Sequence, residues 1–444
     1  MLNFTPPNPC PCGKPHTLPV EQIIVAPNAA AKLPELTARF TTPVIICDEN
    51  TKAASYPHMA DFYNKTRTIT LSPSTEGANT AASTRTAIHA DNQTVAYILS
   101  NLPVTTGILI AVGTGIINDL TRFVAGEKQI PFISVPTAAS VDGFVSNISA
   151  MTWHGMKKSF YLSTPLYVVA DTNIFAHAPY RLTASGISDL LGKHTALADW
   201  KIAAELTGEY FCQYIHDMVK TAVTDVESML DSFSPTPTPD SITATEKLMH
   251  ALLVSGIAMQ YAGCSRPASG AEHHISHLWE MNIINDELDA LHGEKVSIGL
   301  LLALEKYNTI AETLKSGNYT IIDDFPIEAN LIQSTFGKKG LYSTVIEENC
   351  GNPALPPADT AHSVQLTDKQ TAAALKQKTA AVIKIIGALP SYNHMKQALE
   401  KAGCLTTMSQ IGLNDDIKEL SLNLSPYAKN RITLMRLAKL IKLQ

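Results

Sequence analysis

Six short apolar runs alternate with helix-period stretches as far as Asp171, and beyond that point the alternation ceases. The runs are Ile23–Val25, Val44–Cys47, Thr68–Leu71, Ile108–Val112, Phe132–Val135 and Tyr167–Ala170. Each is brief, apolar and bounded by turn residues, the pattern of a buried strand. Between them, Ala29–Phe40, Ala54–Asn64, Gln93–Asn101 and Ile117–Ala125 read as helices. Strand and helix in that order imply a parallel sheet covered on both faces. From Thr183 onward the clearest segments all have a 3.6 period: Asp189–Leu206, Thr243–Ala262, Gly270–Met281, Val296–Leu314, Asp368–Ala388 and Ile432–Leu443. The expectation is an α/β domain over residues 1–178 with a parallel Rossmann-like sheet, then an all-α domain over 179–444. Ser72–Thr86 reads as a loop, Asn349–Thr367 as an irregular link, and the Pro-rich Asp231–Ser241 as a connection rather than a boundary.

A chain of 444 residues can bury two sizeable cores. Its net charge of −6, with lysines and arginines scattered, lacks the basic field of a nucleic-acid binder. No apolar run approaches the ~20 residues of a membrane span. The start, M-L-N-F-T-P-P-N-P, has no basic region and no apolar core of a secretion signal. Seven cysteines, an odd number without framework spacing, fit reduced thiols in the cytoplasm. Cys10-Pro-Cys12-Gly-Lys-Pro-His16 has the residue types of a metal clip. Its spacing is short, its prolines are stiff and no second ligand pair follows, so a structural or surface segment is the expectation.

The densest chemistry lies in Ser269–Lys295. His273 and His277 are four apart, which puts both imidazoles on one helix face. His292 opens the next helical stretch, H-G-E-K-V-S-I-G-L. Such pairs also occur on ordinary helices, but two converging neutral imidazoles and a carboxylate can hold a divalent cation. Asp189, in S-G-I-S-D-L-L-G-K, is the candidate carboxylate. Lys193, one turn on, either pairs with Asp189 or meets an anionic substrate. Arg266 is a further anion-binding candidate.

In the first half, Ile108–Asp119 reads I-L-I-A-V-G-T-G-I-I-N-D. A buried strand ends in Gly113-Thr-Gly115 and a helix begins at once, an arrangement that suits a pyrophosphate but is often only a turn. Asp48, at the end of the second strand, suits a ribose or a helix cap. Asp142-Gly143 by itself is a turn. Lys157-Lys158, in a polar hairpin segment, reads as a solvated charge pair rather than a wall of a phosphate pocket.

The string S-R-P-A-S-G-A-E-H-H-I-S-H-L-W-E-M followed by L-H-G-E-K-V resembles the metal-binding core of the dehydroquinate synthase-like superfamily. That superfamily includes the iron-containing alcohol dehydrogenases and glycerol dehydrogenases. The nearest resemblance is to the glycerol-1-phosphate dehydrogenases, bacterial branch, from about Cys10 to the C-terminus. The Cys-x-Cys-Gly start is also similar to theirs, without a role. The resemblance implies a dehydroquinate synthase-like fold, with the cofactor on the sheet's carboxyl edge, the metal on the helices and a cleft between the domains. It implies NAD- or NADP-dependent, reversible reduction of dihydroxyacetone phosphate to glycerol 1-phosphate. It implies one metal (zinc, nickel or iron) held by Asp189, His273 and His292, with His277 meeting substrate and His274 structural. Cofactor contacts would come from Asp48, from Gly113, Gly115, Ile116, Ile117, Asn118 and Asp119, and from Thr137, Ala138, Ala139, Ser140 and Ser146. Asp142, with Asp189 and His277, would reach the substrate. A homo-oligomer, a dimer in particular, is implied too. The alternatives are a polyol oxidoreductase like glycerol dehydrogenase and a carbocycle-forming lyase like dehydroquinate synthase; the lyases usually carry Glu where Asp189 stands.

Overall fold

The six apolar runs form one sheet of six strands in the computed structural model, which describes residues 6–73, 88–153, 156–323, 327–350 and 368–443. The strands are β1 (Gln22–Ala26), β2 (Pro43–Asp48), β3 (Arg67–Leu71), β4 (Ile108–Gly113), β5 (Phe132–Pro136) and, after a hairpin of β6 (Ile148–Trp153) and β7 (Met156–Tyr161), β8 (Tyr167–Asp171). Their order is β1-β8-β5-β4-β2-β3, and every pairing is parallel. The two-residue period of a strand divides the core between the faces. Ile45 and Cys47 pack with Ile108, Ile110, Val112, Ile133 and Val135 on one face. Val44 and Ile46 pack with Leu109, Ala111 and Phe132 on the other. Because both faces are covered, these strands carry no polar alternation.

A parallel sheet delivers all its carboxyl ends to one edge. Asp48, Gly113, Pro136 and Asp171 end β2, β4, β5 and β8 there. The helices of this half are α1 (Leu33–Thr37), α2 (Glu49–Lys65), α3 (Asn92–Asn101), α4 (Gly115–Lys128) and α5 (Thr172–Phe175). The Ala29–Phe40 stretch is shorter than expected, a turn of 3-10 helix at Ala29–Lys32 followed by α1.

The second half is helical. It holds α6 (Tyr180–Leu191), α7 (Lys193–Thr207), α8 (Gln213–Glu227), α9 (Pro239–Ala262), α10 (Ala271–Glu280) and α11 (His292–Ser316), followed by further helices that include Asp368–Ile386 and Tyr392–Lys401. The expected helix over Ile432–Leu443 is a correction. Only Leu434–Ala438 is α-helical, and Ile441–Leu443 (β10) pairs antiparallel with Tyr319–Ile321 (β9). Leu434, Met435 and Leu437 are buried, whereas Lys442 and Leu443 of the terminal strand are exposed. Ser72–Thr86 and Asn349–Thr367 lie largely outside the described residues.

Two compact units result, each assembled from separate stretches. The first holds the sheet, from Thr17–Gly186 and Asp231–Gln260; the second is formed by Pro7–His16, Ile187–Leu230 and Tyr261–Gln444. The chain therefore changes unit within α6 and within α9, and the Pro-rich Asp231–Ser241 is where it re-enters the first unit. No helix among the described residues is long and apolar enough to cross a membrane.

Candidate functional site

Three helix positions in the second unit converge. Asp189 comes from the last turn of α6, His273 from the first turn of α10 and His292 from the first position of α11. One ligand atom from each lies within 4.8 Å of the others. Asp189 Oδ1 is 3.4 Å from His273 Nε2, and the two histidine rings are 5.2 Å apart. The i, i+4 spacing places His277 beside them, its ring 5.9 Å from His273 and 6.0 Å from His292. Burial pushes the His277 imidazole well below its ordinary pKa, and the Lys429 cation adds to the same direction. His274 is fully buried, with neither ring nitrogen hydrogen-bonded among the described residues.

Each histidine of the trio is oriented through its second nitrogen. His273 Nδ1 donates to Glu272 Oε1 and His292 Nδ1 to Glu280 Oε1, both at 2.7 Å. Both Nε2 atoms are thereby left with their lone pairs, the usual support for a ligating histidine. Glu272 is held in turn by the backbone N–H of Gly270 and by Thr195 Oγ1, at 2.7 and 2.6 Å. A carboxylate and two imidazoles with fixed tautomers fit a divalent cation. Lys193 Nζ donates to Asp189 Oδ1 at 2.7 Å, and both side chains are fully buried. Burial alone would raise the Asp189 pKa, but Lys193 and then His273 outweigh it and hold the carboxyl well below its usual range.

Glu272 and Glu280 carry no spacing signal and were not singled out from sequence. Nor was Asp199. Its carboxylate accepts from the N–H of Ala271, the N–H of Leu434 and the Tyr307 hydroxyl, at 2.8–2.9 Å, and so fixes the start of the histidine helix. Burial pushes its pKa up to about 7. Arg266 is committed elsewhere. It is buried against Glu209 at 2.8 Å and donates to the Ile432 carbonyl, which leaves no basis for an anion contact.

The candidate cofactor residues lie along the carboxyl edge of the sheet in the first unit. Gly113 ends β4, Gly115 opens α4, and Gly113 stands in register with Pro136. A methyl on Gly113 would meet Ile117 Cβ at 2.6 Å, so the strand turns into its helix without room for one. Ile116 is 41% exposed, whereas Ile117 and Asn118 are buried. The Asn118 amide donates to the carbonyls of Gly113 and Thr114 and accepts from Ser134. Asp119 accepts from the buried Arg122, which also donates to the carbonyls of Gly143 and Ile148. These side chains shape the turn, and the backbone N–H groups of the α4 N-terminus are what it presents.

Thr137, Ala138, Ala139, Ser140 and Ser146 are buried beside it. Asp142 Oδ2 accepts from Ser255 of α9 at 2.8 Å. Asp48 caps α2, its Oδ1 accepting from the Thr51 N–H at 2.8 Å, as the capping alternative anticipates. Lys158 is exposed on β7, in line with a solvated charge.

Residues 24–179, which hold nearly the whole sheet, match the family model described as iron-containing alcohol dehydrogenase. A glycerol-1-phosphate dehydrogenase (NAD(P)+) of Bacillus licheniformis is 36% identical over 306 residues, 68% of this chain and 74% of the relative. The enzyme of the same name from Geobacillus stearothermophilus is 29% identical over 434 residues, 96% of this chain and 94% of the relative. The chain belongs to the glycerol-1-phosphate dehydrogenase family. Among solved structures, the glycerol dehydrogenase of Schizosaccharomyces pombe shares the fold, with a TM-score of 0.52 and 20% identity over 86% of this chain and 92% of that one.

Proposed function

We propose that the chain is a metal-dependent glycerol-1-phosphate dehydrogenase that interconverts dihydroxyacetone phosphate and glycerol 1-phosphate with NAD(H) or NADP(H). The convergence of Asp189, His273 and His292 within 4.8 Å, in a member of this family, carries the reading. A zinc, nickel or iron(II) ion bound there would supply Lewis acidity at the substrate oxygen, and a bound nicotinamide cofactor would supply the hydride chemistry. Asp189, His273 and His292 hold the ion, and Glu272 and Glu280 keep the two imidazoles in the ligating tautomer. His277, kept neutral by burial, would take the proton of the substrate hydroxyl in the oxidation direction, and the imidazolium so formed would return that proton to the oxygen in reduction. The βα turn at Gly113–Asp119 and the buried Thr137–Ser140 and Ser146 take the cofactor, Asp48 its ribose, and Asp142 the substrate. The same reading carries a cytoplasmic homodimer, testable by sedimentation of the purified protein.

The deciding experiment supplies dihydroxyacetone phosphate with NADH or NADPH before and after chelation and metal add-back. Consumption of the reduced cofactor that stops on chelation and yields the 1-phosphate enantiomer is expected. Oxidation of glycerol with neither glycerol phosphate turned over would overturn it.

A further inference from the structure

A second group of metal-ligating side chains lies in the same unit and shares no residue with the first. The sulfurs of Cys10, Cys12 and Cys212 and one nitrogen of His16 all lie within 4.8 Å of one another. The two N-terminal cysteines come from a tight turn. The Gly13 N–H donates to the Cys10 carbonyl at 2.9 Å, and Gly13 has φ +79°, a left-handed conformation that favours glycine. The third cysteine is 202 positions from Cys10 and stands immediately before the first residue of α8. That distance along the chain is why the N-terminal segment looks incomplete as a metal clip in the sequence.

The separations are those of a tetrahedral ion. With Zn–S of about 2.3 Å and Zn–N of about 2.0–2.1 Å, neighbouring sulfurs stand ~3.8 Å apart, and sulfur and nitrogen ~3.6 Å apart. Cys10 Sγ and Cys212 Sγ are 3.7 Å apart, and His16 Nε2 is 3.3 Å from Cys12 Sγ and 3.5 Å from Cys212 Sγ. The histidine is in the ligating tautomer. Its Nδ1 is 3.1 Å from the Tyr261 carbonyl oxygen. A carbonyl only accepts, so Nδ1 carries the hydrogen and Nε2 turns its lone pair toward the sulfurs. The ring sits between Tyr214 and Tyr261, and Cys10, Cys212 and His16 are all buried. The Tyr210 hydroxyl is 3.4 Å from Cys12 Sγ, placed to donate to a thiolate, and Lys14 Nζ lies 3.9 Å from the centroid of the Tyr210 ring. Three thiolates, one neutral imidazole and a divalent ion leave one net negative charge.

We propose that Cys10, Cys12, His16 and Cys212 bind a structural zinc ion, which ties Pro7–His16 to the start of α8. Soft thiolate donors select zinc from the common divalent ions. Four protein ligands leave no open position, so the site does no chemistry on a substrate.

The test uses the full-length protein. As purified, it should contain one metal equivalent beyond that held by Asp189, His273 and His292. After cobalt exchange it should show thiolate-to-cobalt charge-transfer absorption and the intense visible bands of a tetrahedral ion. Cys12→Ser and Cys212→Ser should lose both the band and one equivalent of metal, while His292→Ala keeps the band. The three thiols should resist iodoacetamide in the native wild-type protein and react on chelation, a readout that survives a misfolded variant. Three outcomes would overturn the proposal: no charge-transfer band in cobalt-exchanged wild type, native thiols that alkylate as fast as in urea, or a Cys10–Cys212 disulfide in the non-reduced protein.

Discussion

At the residue scale, the candidate centre depends on groups that touch the ion and on groups that touch those. Asp189→Asn and His292→Ala should each abolish turnover and lose the one metal equivalent held at this centre, with the cysteine-bound equivalent retained and the far-ultraviolet circular dichroism unchanged; metal analysis after gel filtration checks this. Glu280→Gln should keep the fold but weaken metal binding roughly 10–100-fold, read by competition with a chelator, because the amide no longer fixes the His292 tautomer. His273 and His277 were legible because imidazoles four apart share a helix face, and His292 and Asp189 because their local strings resemble those of known relatives. Glu272, Glu280 and Asp199 were not. A carboxylate that orients another side chain has no periodic signature; its role exists only once distant stretches meet, as Asp199 does with Leu434 235 positions away. Arg266 shows the converse, since a guanidinium suited to a phosphate is satisfied by Glu209.

At the element scale, the site depends on how closely its helices approach. A methyl on Gly299 would lie 2.5 Å from the Glu272 carbonyl oxygen, so α11 passes directly against the backbone of α10. Gly299→Ala should force the two histidine-bearing helices apart, costing about 1–3 kcal/mol in urea denaturation and weakening metal affinity in titration. Another tie joins α7, α8 and the Tyr392–Lys401 helix. Glu227 accepts from His194 at 3.0 Å and from His394 at 2.8 Å, and these bonds lower its pKa. A carboxylate depressed in the folded state stabilises above its unfolded value of about 4.3 and loses that contribution as pH falls through the folded value. Wild type should therefore melt above Glu227→Gln at neutral pH, and the two melting curves should draw together below about pH 4. Strands and long helices were legible from their periods. The end of the chain was not, because a five-residue helix and a three-residue strand are each too short to complete a repeat.

At the scale of the whole molecule, sequence separates the architectures but not the units. The shift from alternating strands to helices is visible near Asp171, since burial on both faces writes itself into composition. That Asp231–Gln260 belongs with the sheet and Pro7–His16 with the helices is a matter of long-range contact, which no local pattern records. Chelation should accordingly abolish turnover yet leave NADH binding, measured by fluorescence, within about twofold, because the βα turn and the histidine cluster lie in different units. The interleaving also bears on synthesis. A chain leaving the ribosome at ~5–20 residues per second exposes Cys10 about 10–40 s before Cys212, 202 positions later, follows it. During that interval the earliest thiols have no final partner, so a nascent chain starved of zinc or exposed to oxidant is at risk there before the histidine-bearing helices α10 and α11 have been translated.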